Sequence, residues 1–588
     1  MALALMVLIS CCLGNSMGGK TERYRSLRYH SQITSTEHEL KWDFSEKMFF
    51  FELTVRSHDP VVGMGFSDHG ESSNADFMVT WLDSDGKRHV QDTWTDSYSI
   101  MHPDVHQSYT VDGVRSLDAD EGMIFRFSRD RKSCDLQDYH IDTGTTHVLM
   151  FTAPYIMAAP EMVNTSAFNL TTTRVQILKS QVDPGEIPDD TQTIDIRNNY
   201  VKVPSMETTY WCSIHRMPTM RVKKHIIKYE GLISSGSEAI VHHMEVYSCE
   251  VSPRVTIPNY SGPCNSKPRT ISGCSKVIGA WAMGAKSFSY PNEAGIPVGN
   301  MISSGYVMLE IHYNNPNMRS DVVDSSGIRF TVTDQLRPYD AAIMELGVTY
   351  DPRQSIPPRS DKFYLEGVCS ERCSDRGLPE GGITVFASQL HTHLAGNRVR
   401  TMHIRDGLQL KDLNGDKHYS PHFQEIRLLQ EPVKVLPGDA LITECEYSTW
   451  HRDNLTLGGF AISEEMCVNY IHYYPKTSLE VCKATISNSA IQRFFTMMAY
   501  YMKAKTNAYQ SVGENFQSMK WNPVNSRLLQ WFYDTMPIDA ECKHSDGTYV
   551  QGRWSHISKP RVWLSDRYNP IDEHECDEKE LERFFRTT

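Results

Sequence analysis

Short runs of alternating apolar and polar residues, separated by turn residues, limit the fold of this chain more than any other feature. In one such run, Val307 and Leu309 fall on one side of the alternation, and Glu310 and His312 fall on the other. A β-strand points successive side chains to opposite faces, so this pattern predicts strands with one buried face. Because similar runs recur along most of the chain, the sequence predicts a mainly β fold made of sandwiches.

Length and charge limit the classes of protein to which this chain can belong. The chain has 588 residues, which is enough for three or four domains of roughly 150 residues each. Its formal net charge of -13 argues against a nucleic-acid partner, because nucleic acid selects basic surfaces.

The N-terminus and the cysteines predict the compartment. Residues 1–18 combine an apolar stretch with small residues, and we expect them to be a signal peptide whose apolar part is too short to span a bilayer. No later run approaches the ~18 consecutive apolar residues of a membrane helix, so no transmembrane span is predicted. Without Cys11 and Cys12, twelve of the 14 cysteines remain, an even number that suits disulfides. We therefore expect a protein of the secretory pathway, in the endoplasmic reticulum or a vesicle lumen, or secreted.

Four sequons also predict a secretory protein, since N-glycosylation occurs only there. Their asparagines are Asn164, Asn169, Asn259 and Asn454.

One histidine pair has the spacing of metal ligands. His391 and His393 lie two positions apart in a strand-like run, so both side chains leave the same face and can hold one ion. Taken alone, such a pair is more often structural. Met466 adds a thioether, a soft ligand that copper(I) accepts and zinc rarely uses. The combination indicates copper and redox chemistry.

A second pair, His242 and His243, consists of neighbours. Neighbours on a regular strand face opposite sides, so both could bind one ion only at a bulge or bend. His312 lies on the less apolar face of its predicted strand, where a half-buried strand presents a ligand to a cleft.

Five segments, in their order and separations, closely resemble the copper type II, ascorbate-dependent monooxygenases, and within them the dopamine beta-hydroxylase-like group. The resemblance runs from about residue 34 to the C-terminal cysteines. The segments are Thr208–Cys212, Val241–Tyr247, Leu309–Pro316, Phe386–Leu394 and Glu465–Pro475.

The resemblance implies a DOMON β-sandwich followed by two tandem β-sandwich copper domains, with a mixed C-terminal extension that is tethered by disulfides. We assign the DOMON domain a packing or regulatory role, because its sequence shows no convincing pair of axial haem ligands. The expected divisions are a signal peptide at 1–18, the DOMON domain at 34–150, a linker at 151–200, the first copper domain at 201–335, the second at 336–500 and the extension at 501–588.

The resemblance also implies two copper ions per chain. An all-histidine site would store and deliver an electron, while a site with a methionine would bind dioxygen, where the substrate carbon is hydroxylated. Ascorbate would supply the electrons. The implied ligands are His242, His243 and His312 for the first site, and His391, His393 and Met466 for the second. Tyr210 and His391 carry catalytic roles in the family pattern; for Tyr210, packing beside Cys212 is an equal alternative.

The family pattern implies six disulfides, which spacing alone does not determine. The pairs are Cys134–Cys576, Cys212–Cys264, Cys249–Cys274, Cys369–Cys482, Cys373–Cys542 and Cys445–Cys467. Cys369 and Cys373 could otherwise be half of a zinc site, but no second thiol pair has similar spacing. The Cys-x-Cys pair that links chains in the family is absent between Cys482 and Cys542, so we expect any homo-oligomer to be non-covalent.

The substrate is expected to be a small amine. Peptidylglycine monooxygenases have an arginine where this chain has Gln389, and a neutral amide cannot form an ion pair with a peptide carboxylate. Glu345 is a candidate counter-charge, and a surface or salt-bridged role is its alternative. His225 and His422 are assigned to structure.

The sequence thus predicts a secretory-pathway copper monooxygenase that hydroxylates an aliphatic C–H bond of a small, phenylethylamine-like amine with dioxygen and ascorbate. The alternative is a catalytically silent secreted protein that binds copper or a small ligand. A zinc hydrolase is disfavoured, because Met466 is a poor zinc ligand and no carboxylate accompanies the His391/His393 pair as a base.

Overall fold

The computed structural model describes residues 27–32, 38–57, 59–117, 122–133, 135, 137–154, 163–182, 185–249, 251, 256–271, 273–283, 285–299, 305–562 and 564–565. Two compact units meet in sequence between Lys179 and Ser180. Strands make up 47% and helices 10% of the chain, so the prediction of a mainly β fold is confirmed. Among the described helices, none has both the length and the apolar character of a membrane span. The predicted signal peptide lies outside the described residues.

The first unit is a sandwich of two antiparallel sheets with an aromatic core. Phe51 and Phe127 stack at 5.1 Å between ring centroids and, with Phe66, are fully buried. One sheet contains, in order of pairing, Tyr29–Gln32, His38–Phe44, Met48–Val55, Met123–Asp130 and Tyr109–Ser116. The other contains Thr171–Val175, Thr146–Ala153, Val61–Ser67, Asp76–Leu82, Arg88–Thr95 and Met101–Pro103, and a short 3-10 turn spans Thr165–Ala167.

The second unit begins with a sandwich that we call the middle sandwich. One sheet orders Gln192–Arg197, Gly327–Thr333, Lys223–Leu232, Ala294–Gly299 and Tyr339–Asp340, with Phe288–Ser289 also paired to Lys223–Leu232. The other orders Ser261–Pro263, Thr208–Arg216, Tyr306–Asn314, Val241–Cys249 and Cys274–Ala282. Val201–Lys202 pairs with Val323–Asp324, and 3-10 turns span Cys264–Ser266 and Arg269–Ile271.

The rest of this unit is a second sandwich, the C-terminal sandwich. One sheet orders Arg427–Val435, Ile383–Thr392, Cys467–Tyr474, Ala342–Val348, Leu479–Ile486 and Ile538–His544. The other orders Phe363–Cys369, Ala440–Tyr447, Gly396–Arg405, Leu408–Gln409 and Leu564–Ser565, with Asn414–Asp416 also paired to Gly396–Arg405. The helical segments are Pro352–Gln354, Glu371–Gly377, Asn488–Tyr501, Val512–Gln517 and Pro523–Thr535.

The middle and C-terminal sandwiches share one apolar core. Ile343 and Phe386 of the C-terminal sandwich are buried in the same cluster as Tyr290 and Ile311 of the middle sandwich. Burial of this surface holds the two sandwiches together, because removal of apolar area from water is the main favourable contribution to packing.

The helix Asn488–Tyr501 packs against the C-terminal sandwich. The Ser487 side chain accepts a hydrogen bond from the Ala490 backbone and so caps the first turn. Phe494 and Met498, one turn apart, are buried against the C-terminal sandwich.

The segment 151–200, expected to be a linker, instead contributes strands to both units. Thr171–Val175 pairs with Thr146–Ala153, and Gln192–Arg197 pairs with Gly327–Thr333. Both segments are edge strands, the first half-buried and the second largely exposed, so their polar residues are compatible with pairing.

Five disulfides join the cysteines of the second unit: Cys212–Cys264, Cys249–Cys274, Cys369–Cys482, Cys373–Cys542 and Cys445–Cys467. The pair Cys134–Cys576 lies outside the described residues. Disulfides form and persist in oxidising compartments, in agreement with a secretory-pathway location. The sequon asparagines Asn164, Asn169, Asn259 and Asn454 are all exposed, as glycosylation requires.

Candidate metal centres

A β-bulge brings the two adjacent histidines to the same side of a strand. Across the ladder with Tyr306–Asn314, Val241 pairs with Tyr313 and His243 pairs with His312, so His242 is the extra residue. The Nδ1 atom of His243 lies 3.1 Å from that of His242 and 3.3 Å from that of His312. The structure therefore collects His242, His243 and His312, which we call the first trio.

The first trio has the protonation state that a metal site needs. Burial lowers the pKa of His242 to about 4 and lowers the pKa of His243 and His312 well below the ordinary value. At neutral pH all three imidazoles are uncharged, and three ring nitrogens converge within a few ångströms. This all-nitrogen donor set fits a copper ion.

The second trio contains His391, His393 and Met466. His391 pairs with Val468 and Thr392 with Cys467 across two antiparallel strands, so continuation of the register brings Met466 opposite His393. The Met466 side chain is 6% exposed, and it lines the same cavity as His391.

Hydrogen bonds orient both imidazoles of the second trio. His391 Nδ1 lies 2.5 Å from the Gln424 side-chain oxygen, and His393 Nδ1 lies 3.0 Å from the Glu464 carbonyl oxygen. Because both partners accept, Nδ1 carries the proton and Nε2 keeps its lone pair on each ring. Within the described part of the chain, His393 Nε2 is buried and has no hydrogen-bond partner. A buried lone pair of this kind is suited to a metal.

Residues around Met466 hold it in position. The Glu465 carboxylate accepts hydrogen bonds from the backbone of His393 at 2.9 Å and of Ala395 at 2.6 Å. The Tyr447 hydroxyl donates to the Met466 carbonyl at 2.6 Å. Burial raises the pKa of Glu465 to about 7. The loop that carries the thioether is thus bound to the strand end that carries His393.

The two trios face one cavity between the sandwiches. His243 and His391 come within 6.0 Å between ring centroids. The cavity has a volume of about 290 Å³, and both histidines and Met466 line it.

Two glutamates on the cavity wall face each other on neighbouring strands. Glu245 pairs directly with Glu310, and both line the cavity. Burial raises the pKa of both carboxyls, that of Glu245 to about 7. Neither carboxylate forms an ion pair with any residue that the structure describes.

Two further glutamates of the wall already have cationic partners. Glu345 lies 3.1 Å from the Lys483 nitrogen and accepts a hydrogen bond from the Tyr350 hydroxyl. Glu480 lies 2.9 Å from the nitrogen of Lys276.

Tyr210 contacts both sandwiches. Its ring stacks on His312 at 4.5 Å with an interplanar angle of 8°, and its hydroxyl donates to the Phe460 carbonyl at 3.1 Å. Burial raises the pKa of Tyr210, so the phenol stays protonated at neutral pH.

The remaining candidates have structural contacts. The Gln389 amide donates to the Gln424 carbonyl at 2.9 Å and lines the cavity. His225 is buried between Asp340 and the backbone of Arg337. His422 is exposed.

Sequence reasoning missed the residues that orient the ligands. Glu464 and Glu465 directly precede Met466, so their proximity was a usable signal. Gln424 lies 33 positions from His391 in a segment without regular structure, and no local pattern indicates this contact.

Three family models match the chain. The DOMON domain matches residues 34–153, the N-terminal domain of the copper type II ascorbate-dependent monooxygenases matches 194–320, and their C-terminal domain matches 339–495.

Relatives match over nearly the whole chain. Human dopamine beta-hydroxylase is 41% identical over 569 residues, which cover 95% of this chain and 91% of the relative. Tyramine beta-hydroxylase of Caenorhabditis briggsae is 34% identical and covers 98% and 97%. DBH-like monooxygenase protein 1 of Mus musculus is 32% identical and covers 86% and 84%. The chain therefore belongs to the copper type II, ascorbate-dependent monooxygenase family and is a copper-dependent monooxygenase that uses ascorbate as its reductant.

Proposed function

We propose that the chain hydroxylates an aliphatic C–H bond of a small amine in the secretory pathway, with one copper ion in each trio. The observation that carries this proposal is the cavity that His243, His391 and Met466 share with four glutamates. Reactive centre and substrate would then occupy one cavity between the sandwiches.

The donors of each trio suit different tasks. Copper bound there would supply two one-electron centres, which ascorbate recharges, and together they provide the two electrons that hydroxylation with dioxygen requires. The first trio offers three neutral imidazoles. In the second, His391 and His393 present Nε2, and the soft sulfur of Met466 favours copper(I). The chain itself keeps these nitrogens unprotonated and fixes their directions through Gln424 and Glu464.

The charge of the cavity supports a cationic substrate. Glu345 and Glu480 are already balanced by lysines, whereas Glu245 and Glu310 are half-buried opposite each other and lack an ion-pair partner among the described residues. Two carboxylates in such positions repel each other, and an ammonium group bound between them would relieve that repulsion. The relatives named for dopamine and tyramine, both arylethylamines, agree with this charge.

The size and walls of the cavity support a small aromatic substrate. Its volume of about 290 Å³ is at the lower end for ligand pockets. Trp281, Tyr247 and Tyr470 line it and offer flat apolar faces.

A turnover assay tests the proposal. The purified chain, loaded with copper, should contain two copper ions and should consume dioxygen with ascorbate when an arylethylamine is added. The arylpropionate of the same size, in which a carboxylate replaces the ammonium, should give no such consumption. No uptake across a panel of amines, with both coppers present, would instead favour a silent copper- or ligand-binding protein.

A charge-removing variant tests the role of the carboxylate pair. Glu245→Gln should raise the KM for the amine at least tenfold, because a neutral amide cannot balance the ammonium. Glu380→Gln is the matched control, since Glu380 is exposed and lies outside the cavity. Equal KM values for the two variants would refute the assignment of the ammonium to this pair.

A further inference from the structure

A single side-chain hydrogen bond joins Tyr210 of the middle sandwich to the loop that carries Met466. The Tyr210 hydroxyl donates to the main-chain oxygen of Phe460 at 3.1 Å. Phe460 lies in the connection between the strands Ala440–Tyr447 and Cys467–Tyr474. We define residues 457–466 as the Met466 loop.

On its own side, Tyr210 is fixed to the first trio. It pairs directly with His312 in the ladder of the middle sandwich, and the two rings are stacked. His243 is also near, at 6.0 Å between ring centroids. A shift of the first trio would therefore move the Tyr210 ring, and with it the hydroxyl.

On the other side, the Met466 loop is a compact unit bound to the second trio. The Gly459 backbone donates to the Glu465 carbonyl at 3.1 Å, and the Glu465 backbone donates to the Leu457 carbonyl at 2.8 Å. The Glu464 carbonyl accepts from the His393 ring. A movement at Phe460 is thus transmitted to the residues that hold His393 and Met466.

The tip of this loop is also a wall of the cavity. The Phe460 ring packs on Tyr350 at 4.9 Å and lines the cavity, although 61% of Phe460 is exposed. An exposed aromatic tip needs a tether to keep a fixed place, and the described tethers are the Tyr350 ring and the Tyr210 hydroxyl.

The proton of Tyr210 is engaged in this contact. A phenol has one proton to donate, and in the structure it is directed to the Phe460 carbonyl rather than into the cavity. We propose that Tyr210 is a positioning residue, whose hydroxyl ties the Met466 loop to the first trio and so holds the Phe460 wall of the cavity in place. Only the kinetic consequence of this role depends on the proposed function; the tether itself does not.

Hydrogen exchange of the Tyr210→Phe variant tests the tether. The substitution removes one oxygen and keeps the stack on His312. In the metal-free chain, amides of residues 457–465 should exchange about fivefold faster, which corresponds to the loss of one net hydrogen bond. Tyr364→Phe is the matched control, because its hydroxyl binds Glu446 on the other sheet of the C-terminal sandwich, and it should leave this loop unchanged.

A second variant separates the tether from the ring contact. Phe460→Ala keeps the main-chain acceptor, so the loop should stay closer to wild-type protection than in Tyr210→Phe. Two results would overturn the proposal. One is an unchanged exchange rate of the loop in Tyr210→Phe; the other is faster exchange of the loop in Phe460→Ala than in Tyr210→Phe. These measurements need neither copper nor turnover, so they remain decisive if the proposed function fails.

The kinetic consequence distinguishes positioning from direct proton transfer. In the copper-loaded enzyme, Tyr210→Phe should retain two copper ions and raise KM by a larger factor than it lowers kcat, because a wall of the cavity is loosened. A fall in kcat at constant KM would indicate that the phenol acts on the reacting atoms and would contradict the positioning role.

Discussion

Individual side chains determine what each trio can bind. Every imidazole of the two trios has a pKa below its ordinary value because of burial, so protons compete weakly for the ring nitrogens at neutral pH. Met466 alone supplies sulfur, and the Tyr447 hydroxyl holds its main-chain oxygen, so the residue is kept in the cavity wall beside His391.

Replacing Met466 tests its role as a ligand. Met466→Leu keeps the apolar volume but removes the sulfur, so we expect the copper content to fall from two ions to about one and activity to fall at least a hundredfold. Metal analysis and oxygen uptake measure these quantities. The control is Met498→Leu in the helix Asn488–Tyr501, where Met498 is also buried, at 1% exposure, but lies in the apolar core. Retention of two coppers in Met466→Leu would show that the thioether is not a ligand.

Strand geometry explains how much of the site could be predicted. The alternation of side chains brings His391 and His393 to one face directly, because the period of a strand is two. The adjacent pair His242 and His243 requires a bulge, and the sequence indicates that requirement. It does not reveal which residue is extra, because the register depends on the partner strand with His312.

Other elements had no comparable local signal. The edge strand Thr171–Val175 is mostly threonine with one arginine, a composition also found in linkers, and its strand conformation depends on pairing with Thr146–Ala153. Likewise, the strand Ile538–His544 adds to the C-terminal sandwich through tertiary pairing and the Cys373–Cys542 disulfide, so it could not be placed from its own residues.

One strand also carries a pH-sensitive residue at the contact of the two sandwiches. His472 lies on Cys467–Tyr474 and packs against Phe288, Tyr290 and Phe386. Burial lowers its pKa from 6.5 to about 3. Between pH 6.5 and about pH 3, the unfolded chain thus binds a proton that the folded chain does not. The free energy of unfolding therefore decreases as the pH falls through this range.

Removing this histidine should flatten the pH dependence of stability. Between pH 7 and pH 4, the unfolding free energy of the metal-free chain should decrease by roughly 3 kcal/mol less in His472→Phe than in the wild type. Urea unfolding at each pH measures the difference. His451→Phe changes an exposed histidine and should follow the wild-type curve. If the unfolding free energy of His472→Phe and of the wild type changed equally with pH, His472 would not be the source of the pH dependence.

The disulfides of the second unit all form within one chain. The ten cysteines between Cys212 and Cys542 all pair within the chain. No cysteine occurs between Cys482 and Cys542, the region in which the family pattern links chains.

Any assembly of chains should therefore be non-covalent. On a denaturing gel without reductant we expect the mobility of a single chain, whatever mass gel filtration gives for the native protein. A dimer band that disappears on reduction would show an intermolecular disulfide and contradict this prediction.

We propose that two separate trios, one all nitrogen and one containing sulfur, each hold a copper ion. X-ray absorption at the copper edge of the reduced, copper-loaded chain tests it most directly. We expect two coppers per chain and one sulfur scatterer for every two coppers, with the sulfur signal lost in Met466→Leu. A spectrum without sulfur, or one that keeps its sulfur in Met466→Leu, would contradict it.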